Sequence, residues 1–421
     1  MTPRRAAALV AAAAALPRLA VLLLQRDEIL ARYVEKSDDF ARTFVESGTY
    51  GFIPDVPSAY TQPLYGFLLV PLYELFGRHW ATVGLAQVAL AVLTTLLVWA
   101  IGRRWISPAA GLVAALATTL SPYLVWHDVH VNREIVDQPL AAGAVLLALL
   151  VAERRSLPLA ALLGGVLGLA ILGNSRLVLL PLLAVAWLAW RAPWRRGVAL
   201  GAVVVAAAAL VVAPWVVRNH VQVGCATITT DARALWKANN PETRPILASG
   251  RWIDAVPDLP GTPPTPQDAG GIWESTGRVV RVDECEQMRF YQELVVEFWR
   301  EHPGEKAVLA GIGAGMLWSP VVTPVEDRPR AGTWLDLGRD LALPLFTVAL
   351  FAFALAGARL VPRPLLVLVV ALLLYQTLLA MVFVGATRYR VPWDFLLALP
   401  AGAAAVALAG YVRRRRASAR S

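Results

Sequence analysis

The sequence predicts an all-α polytopic membrane protein with about ten transmembrane helices, interfacial helices in the first external loop and a small external α/β domain. Hydrophobic residues make up 57% of the 421 residues and charged residues only 16%, whereas soluble domains carry about 25% charged residues. The apolar residues come in blocks of about 20, which is long enough to cross a bilayer.

The basic residues follow the pattern of a membrane protein. The net charge is +9, but the arginines lie in short clusters between apolar blocks, as the positive-inside rule describes for cytoplasmic loops. We therefore expect no nucleic-acid partner. We expect a multi-pass protein of the cell (plasma) membrane, with both termini in the cytoplasm and the functional site on the extracytoplasmic side.

The first apolar run, residues 6–24, contains Arg18. A cleaved signal peptide is one interpretation, but an uncleaved span is favoured because the run is long and ends in QRDE without a small-x-small cleavage site. A lone charge in a span is costly, so Arg18 is expected to be paired or to reach the interface. Further spans are predicted at residues 81–101, 107–125, 138–152, 157–172, 177–190, 197–216, 341–358, 364–384 and 392–412.

Three regions follow from this pattern. Residues 1–216 are predicted to form an N-terminal transmembrane catalytic module with its first external loop at 25–80. Residues 217–340 form an external domain with an interfacial helix, and residues 341–421 form the last spans and a basic cytoplasmic tail. The short, glycine-rich run 307–318 is taken not to cross, because the arginine clusters that follow then fall inside.

Both cysteines, Cys225 and Cys285, lie in the predicted external region. Two cysteines on the oxidising side of a membrane are consistent with one disulfide. Two unpaired thiols are the alternative.

Acidic residues are concentrated after the first span. Glu35, Asp38 and Asp39 stand at i, i+3 and i+4, which places three carboxylates on one face of a helix. Like charges at i, i+4 cost a helix roughly 0.2–0.5 kcal/mol, and a sequence that accepts this cost often uses the carboxylates for a function. The alternative is a solvated helix face with Asp38 paired to Arg42.

Other polar groups recur on the predicted outer side. Arginines there run against the positive-inside bias, and a guanidinium suits phosphate or carboxylate; the alternative is an arginine at the membrane interface. The sequence HDVH, with His127 and His130, is a weak metal signal that lacks a third ligand. No Walker motif, GxGxxG or GxSxG is present. These outer groups are His127, Asp128, His130, Arg133, Glu134 and Asp137 together, then Arg218 with Asn219, and Arg388, Tyr389 and Arg390.

Several phrases resemble GT-C glycosyltransferases of the family 39 type, the protein O-mannosyltransferase and aminoarabinose transferase group in its bacterial branch. DDFARTFVESGTYGF is similar to the first-loop signature, and PLYGFLLVPLYELFG to the interfacial helix that follows it. PWVVRNHVQVGCATITTDARALWKANNP resembles the PW-x-x-RN segment, and RYRVPWDFLLALPAG the RYR-x-P segment before the last span. The aromatic residue common after the acidic pair is not clearly placed, which leaves the register open.

The resemblance implies an inverting transfer of a sugar from a polyprenyl-phosphate carrier to a glycan, lipid or protein acceptor at the outer face of the membrane. It implies Asp38 or Asp39 as general base, with Glu35 as helper. A divalent cation, Mg²⁺ or Mn²⁺, is a candidate cofactor, with Glu35 and Asp39 as its candidate ligands. The implied substrate-binding residues are Arg388, Arg390 and Arg218 for the carrier phosphate, with Glu134, Asp137 and Tyr60.

Two other functions compete with this one. A lipid or sugar transporter or flippase usually places polar residues at the midplane in broken spans, and the predicted spans here are mostly Ala, Leu and Val. A non-catalytic scaffold that binds a partner through its external segment leaves the acidic triplet and the outer arginines unexplained.

Overall fold

The computed structural model describes residues 2–32, 34–322 and 338–419, and these are nearly all helical. Tyr33 and residues 323–337, which belong to the predicted first loop and external region, lie outside the described residues. The described residues contain no strand, and the only bridge among them joins Ile53 to Val56. The prediction of an external α/β domain is therefore wrong, because the described part of residues 217–340 consists of helices and irregular connections.

The membrane part contains long apolar helices. Seven described helices are long and apolar enough to span a membrane, and 108–119 and 157–173 are shorter apolar helices. Each of the ten predicted spans overlaps a helix, although 107–125 is divided between two short helices, and the seven long apolar helices make this a multi-pass membrane protein. These helices are α1 (Pro3–Leu24), α4 (Trp80–Trp105), α5 (Pro108–Thr119), α7 (Glu134–Arg154), α8 (Leu157–Gly173), α9 (Leu180–Arg191), α10 (Trp194–Gln222), α16 (Leu343–Gly357), α17 (Arg363–Val382) and α19 (Phe395–Ser418).

Shorter helices lie between and outside these spans. The apolar helix after the first loop was predicted to be interfacial, and it begins at a proline and contains a second one at Pro71. The short helices are α2 (Lys36–Ser47), α3 (Pro63–Phe76), α6 (Pro122–His127), α11 (Arg233–Lys237), α12 (Thr243–Ala248), α13 (Pro266–Thr276), α14 (Glu284–Glu301), α15 (Pro303–Trp318) and α18 (Thr387–Arg390), with single turns at Ser175–Leu179, Ile253–Ala255, Gly338–Ala342, Ala358–Leu360 and Val391–Trp393.

Local sequence explains where many of these helices begin. The Ser107 side chain accepts a hydrogen bond from the amide of Ala110, and Pro108 occupies the first turn of α5. A hydroxyl at the N-cap and a proline directly after it satisfy or remove helix-terminal N–H groups. The arginines of the α4 last turn, Arg103 and Arg104, also lie at the favourable end of the helix dipole.

Arg18 of α1 is paired in the interior of the bundle. Its guanidinium lies 2.7–2.8 Å from Asp128 and also donates to the carbonyls of Ala14 and Thr119 at 3.0 Å. Gln138 donates to the second oxygen of Asp128 at 2.6 Å. The expectation that Arg18 has a partner is met, and this network fixes the segment between α6 and α7 against α1.

The first loop and the external segment are tied together. A disulfide joins Cys225 to Cys285, with 5.9 Å between the Cα atoms. Beside it, the buried carboxylate of Glu284 accepts hydrogen bonds from the amide of Ala59 at 2.9 Å and the hydroxyl of Thr230 at 2.7 Å. These contacts hold the segment that leads into α3 in a fixed position.

Candidate functional site

The three first-loop carboxylates have three different environments. Glu35 is the N-cap of α2, and its carboxylate accepts from the hydroxyl of Ser37 at 2.6 Å. The same carboxylate lies 3.6 Å from Nε of Arg133, which comes from the N-terminal end of α7. Glu35 is thus the carboxylate that connects the first loop to the arginines described below.

Asp38 is buried and fully engaged. The hydroxyl of Tyr73 donates to its Oδ1 at 2.5 Å, and Arg78 contacts both carboxylate oxygens at 2.9–3.1 Å. Only 1% of the side chain is exposed. The alternative pairing of Asp38 with Arg42 is not what the structure shows, and Asp38 instead joins α2 to the end of α3.

Asp39 is half-exposed. Its Oδ1 lies 4.0 Å from Arg42, and 38% of its side chain is accessible. Partial burial, reinforced by the neighbouring charge of Asp38, raises the pKa of Asp39 to about 6. Asp39 therefore changes its charge within the physiological range.

Three arginines from three different segments surround one tyrosine; we call Arg133, Arg176 and Arg388 the arginine cluster. Arg388 donates to the hydroxyl of Tyr389 at 2.8 Å, and the Arg176 guanidinium lies 4.5 Å from the centre of the Tyr389 ring. Burial alone would raise the pKa of Tyr389, but the guanidinium groups of Arg388, Arg176 and Arg133 outweigh it and lower that pKa. The positive charges of three arginines therefore act together on the Tyr389 hydroxyl.

Two glutamates border the arginine cluster at loose distances. Glu134 lies 4.0 Å from Nε of Arg388, and Glu35 lies 3.6 Å from Nε of Arg133. Both distances exceed those of a charge-assisted hydrogen bond, about 2.7–2.9 Å. In the part of the chain that the structure describes, the three guanidinium groups of the cluster therefore lie beside the carboxylates of Glu35 and Glu134 without a close ion pair to either.

Local structure positions each arginine. Arg133 precedes the first residue of α7 and donates to Gln62, whose amide in turn donates to Ser175 at 3.3 Å. Asn174 caps the single turn that carries Arg176, and its side chain accepts from the Arg176 amide at 3.3 Å. The site is therefore assembled from the N-terminal end of α7 and from the short turns beside α8 and α17.

Asp137 lies near this cluster and is almost completely buried. Asn174 donates to its Oδ2 at 3.0 Å, whereas its Oδ1 has no hydrogen-bond partner among the described residues. A buried carboxylate oxygen without a donor is costly, and a ligand hydroxyl would relieve that cost.

The other predicted phosphate ligands have structural contacts. Arg218 donates to the carbonyls of Ser58 and Tyr50 at 2.8 and 2.9 Å. Arg390 is 2% exposed, pairs with Asp394 and donates to the carbonyl of Ser319 at 2.6 Å. Neither of these contacts involves the cluster, so of the three arginines only Arg388 lies in it.

Tyr60 lies in the core of the first loop. Its ring stacks beneath the ammonium of Lys36 at 4.6 Å, and Lys36 also pairs with Asp231 at 2.6 Å. Burial raises the pKa of Tyr60. These contacts anchor the start of α2 to the external segment.

The HDVH sequence does not build a metal site. Asp128 is occupied by Arg18, and Nδ1 of His130 lies 2.9 Å from the carbonyl of Trp126. Within the described ranges, no group of three or more His, Cys, Asp or Glu side chains is arranged to hold a metal ion.

Sequence reasoning missed four side chains of this region as site residues. Tyr73 and Arg78 lie at the end of the interfacial helix, and Arg176 lies in a short turn that reads as a connection between spans. Arg133 belongs to the outer group that contains His127 and Glu134, but the resemblance does not imply it as a phosphate ligand. The usable signal was that an arginine directly beside an apolar span, on the outer side, is unusual.

Comparison with solved structures identifies the fold. The archaeal oligosaccharyltransferase AglB from Archaeoglobus fulgidus, in complex with an inhibitory peptide and a dolichol-phosphate, aligns with a TM-score of 0.56 at 14% identity over 98% of this chain. A second structure of the A. fulgidus oligosaccharyltransferase, with Zn and sulfate, aligns with a TM-score of 0.51 at 14% identity over 96% of this chain. The chain spans 51% and 50% of those two chains.

The chain therefore has the fold of the GT-C membrane glycosyltransferases, as the sequence phrases indicated. Residues 55–217, less than half of the chain, match the family model for dolichyl-phosphate-mannose-protein mannosyltransferase. ArnT from Cupriavidus metallidurans bound to undecaprenyl phosphate aligns with a TM-score of 0.38 at 16% identity, over 92% of this chain and 76% of ArnT. Comparison with curated proteins gives no significant match.

Proposed function

We propose that this protein is a membrane glycosyltransferase that moves a sugar from a polyprenyl-phosphate carrier to an acceptor hydroxyl. The arginine cluster carries this proposal, because three guanidinium groups converge beside a first-loop carboxylate on a GT-C fold. The family match over residues 55–217 and the dolichol-phosphate bound to AglB support the lipid-linked donor.

The chemistry of the cluster suits a phosphate leaving group. A glycosyl phosphate departs as an anion, so it needs charge stabilisation and no general acid. Arginines supply that stabilisation through charge-assisted hydrogen bonds. Arg133 lies 3.6 Å from Glu35 and Arg388 lies 4.0 Å from Glu134, so each guanidinium stands beside a carboxylate at the proposed phosphate site.

The contacts favour Glu35 as the general base over Asp38 and Asp39. A base must lie within hydrogen-bond reach of the proton it removes. Glu35 borders the cluster, whereas Tyr73 and Arg78 occupy Asp38, and Asp39 lies beside Arg42. A single displacement assisted by one base inverts the anomeric centre, so we propose inversion with Glu35 as base and Asp38 as a positioning residue.

A divalent cation is a candidate cofactor from the sequence resemblance. Zn accompanies one AglB structure, but the carboxylates of this site are spread among different partners and do not form a set of ligands in the described residues. The charges that face the proposed phosphate are those of the arginines. We therefore assign no step of the reaction to a metal.

We further propose that the site faces the extracytoplasmic side and that both termini are cytoplasmic. The disulfide and the proline-rich external segment lie at the end of α10 opposite Arg195 and Arg196, which begin that helix. Disulfides persist on the oxidising side, and arginines flank cytoplasmic ends. Labelling of the variants Ser418→Cys and Ser275→Cys with a membrane-impermeant thiol reagent tests this arrangement. We expect the reagent to reach position 275 from the extracytoplasmic side and position 418 from the cytoplasmic side.

Binding of undecaprenyl phosphate to the purified protein in nanodiscs tests the proposed function. We expect Arg133→Ala to weaken binding by about tenfold or more, because charge-assisted hydrogen bonds contribute about 1.5–3 kcal/mol. Arg289→Ala, on the exposed surface of α14, is the matched control. Equal affinity in both variants would refute the phosphate site, and bilayer translocation of the lipid without sugar transfer would favour a flippase.

A further inference from the structure

One uncharged side chain, that of Gln62, lies between two members of the arginine cluster. Its amide oxygen accepts a hydrogen bond from Arg133, and its amide nitrogen donates to the hydroxyl of Ser175 at 3.3 Å. A guanidinium can only donate, so the oxygen of the amide has to face Arg133. Because Ser175 directly precedes Arg176 in the same single turn, one amide joins the segments that carry two of the three guanidinium groups.

The main chain at Gln62 is fixed from both sides. Shortly before it, the buried carboxylate of Glu284 accepts a hydrogen bond from the Ala59 amide at 2.9 Å. Directly after it, α3 begins at Pro63, whose carbonyl accepts from the hydroxyl of Tyr50 at 3.1 Å. A side chain that starts from a fixed main chain can hold its partners in a defined geometry.

The turn that carries Arg176 is held by groups other than carboxylates. Tyr375 donates to the Arg176 carbonyl at 2.6 Å. The Arg176 guanidinium lies 4.6 Å from the centre of the Phe383 ring and 4.5 Å from the centre of the Tyr389 ring. Aromatic rings orient a guanidinium through stacking, so both the main chain and the side chain of Arg176 have a defined place.

The chemistry of an amide suits position 62. An amide accepts from one partner and donates to another at the same time, whereas an ionised carboxylate only accepts. A carboxylate here would also place a further negative charge against Arg133, which already lies 3.6 Å from Glu35. Gln62 thus holds Arg133 in place and adds no charge that competes with an anionic ligand.

We propose that Gln62 is a positioning residue of the carrier-phosphate site. It sets the place of Arg133 relative to the turn of Arg176, so that both guanidinium groups bind one phosphate together. The inference rests on the proposed function, because that function assigns the phosphate to the arginine cluster. Gln62 acts through Arg133 and Ser175, and no contact with the phosphate is assigned to it.

A second contact keeps these segments together when Gln62 is replaced. Asn174 donates to Asp137 at 3.0 Å, which joins the turn to α7. Gln62 is also only partly buried. We therefore expect a substitution at position 62 to change how the two arginines act together more than it changes the unfolding midpoint.

A double-mutant cycle of undecaprenyl phosphate binding to the full chain in nanodiscs tests the proposal. Gln62→Met keeps the approximate length of the side chain and removes both hydrogen bonds. We expect it to weaken binding by about fivefold in the wild type and by less than about twofold in Arg133→Ala, because residues in contact are not additive. Gln62→Glu keeps an acceptor for Arg133 but adds a competing charge, so it should weaken binding by about tenfold or more. Gln292→Met, on the exposed surface of α14, is the matched control and should bind as the wild type does.

Two results would overturn the inference and leave the phosphate site standing. In one, Gln62→Met binds as the wild type does while Arg133→Ala binds weakly. In the other, Gln62→Met weakens binding by the same factor with and without Arg133, which would give Gln62 a role independent of that arginine. If Arg133→Ala itself binds as the wild type does, the proposed function fails, and this inference fails with it.

Discussion

Two sets of arginine–carboxylate pairs in this molecule differ in their distances and in their other hydrogen-bond partners. The Arg18–Asp128 pair is fully buried, closes at 2.7 Å and has its other donors and acceptors matched by Thr119 and Gln138. The pairs of Arg133 with Glu35 and of Arg388 with Glu134 open to 3.6 and 4.0 Å. The closed network holds helices together, whereas the looser pairs border the arginine cluster that we assign to the carrier phosphate.

Disruption of the closed pair should have the largest effect on folding. Removal of one partner from a buried ion pair costs about 3–5 kcal/mol, since the other charge stays buried and unpaired. We therefore expect Arg18→Ala to lower the thermal unfolding midpoint in detergent strongly, and Arg133→Ala to change it little. A similar midpoint for both variants would show that the two networks do not differ as described.

Activity should separate the open network from the helix contacts around it. With a polyprenyl-phosphate sugar donor, Glu35→Gln should lower kcat by about 10²–10⁴, the usual contribution of a general base. Asp38→Asn should instead lower stability, because its contacts with Tyr73 and Arg78 weaken. Suppose that Glu35→Gln turns over like the wild type, whereas Asp38→Asn or Asp39→Asn is folded but inactive. The general base would then be that aspartate and not Glu35.

Arg388 and Arg390, two residues apart, provide an internal comparison. Arg388→Ala should weaken undecaprenyl phosphate binding by about tenfold, because it removes one of the guanidinium groups of the arginine cluster. Arg390→Ala should lower the midpoint, since it removes bonds to Asp394 and to the carbonyls of Leu317 and Ser319. Isothermal titration and thermal unfolding of both variants measure this crossover, and its reversal would exchange the two roles.

The smallest expected effect is a pH dependence at Asp39. Its pKa in the folded state, about 6, exceeds the 3.8 of an ordinary aspartate, so the folded state binds more protons between those values and stability falls as pH rises through this window. Asp39→Asn should remove that fall. Above pH 6, Asp39→Asn should therefore be more stable than the wild type, and solvent screening limits this difference to less than about 1 kcal/mol. Unfolding of both proteins at pH 4 and pH 7 would measure the difference. An equal difference in stability at the two pH values would contradict the prediction.

The spans were predictable because length and apolarity decide them locally. The predicted spans overlap helices, seven of the described helices are long and apolar enough to cross a membrane, and α5 begins where Ser107 and Pro108 suggest. The arginine cluster was not predictable in full, because its members are far apart in sequence and meet only when α7, α8 and α17 pack. Arg218 and Arg390 illustrate the same limit: an outer arginine can bind main-chain carbonyls as readily as phosphate.

The Arg18–Asp128 pair also sets a condition on biosynthesis. Its partners are 110 residues apart, and at about 5–20 residues per second the ribosome needs roughly ten seconds to make the second after the first. During that interval Arg18, which lies in the C-terminal third of α1, has no Asp128, and an unpaired arginine within a span is costly. The first span therefore reaches its final placement only when the segment after α6 arrives.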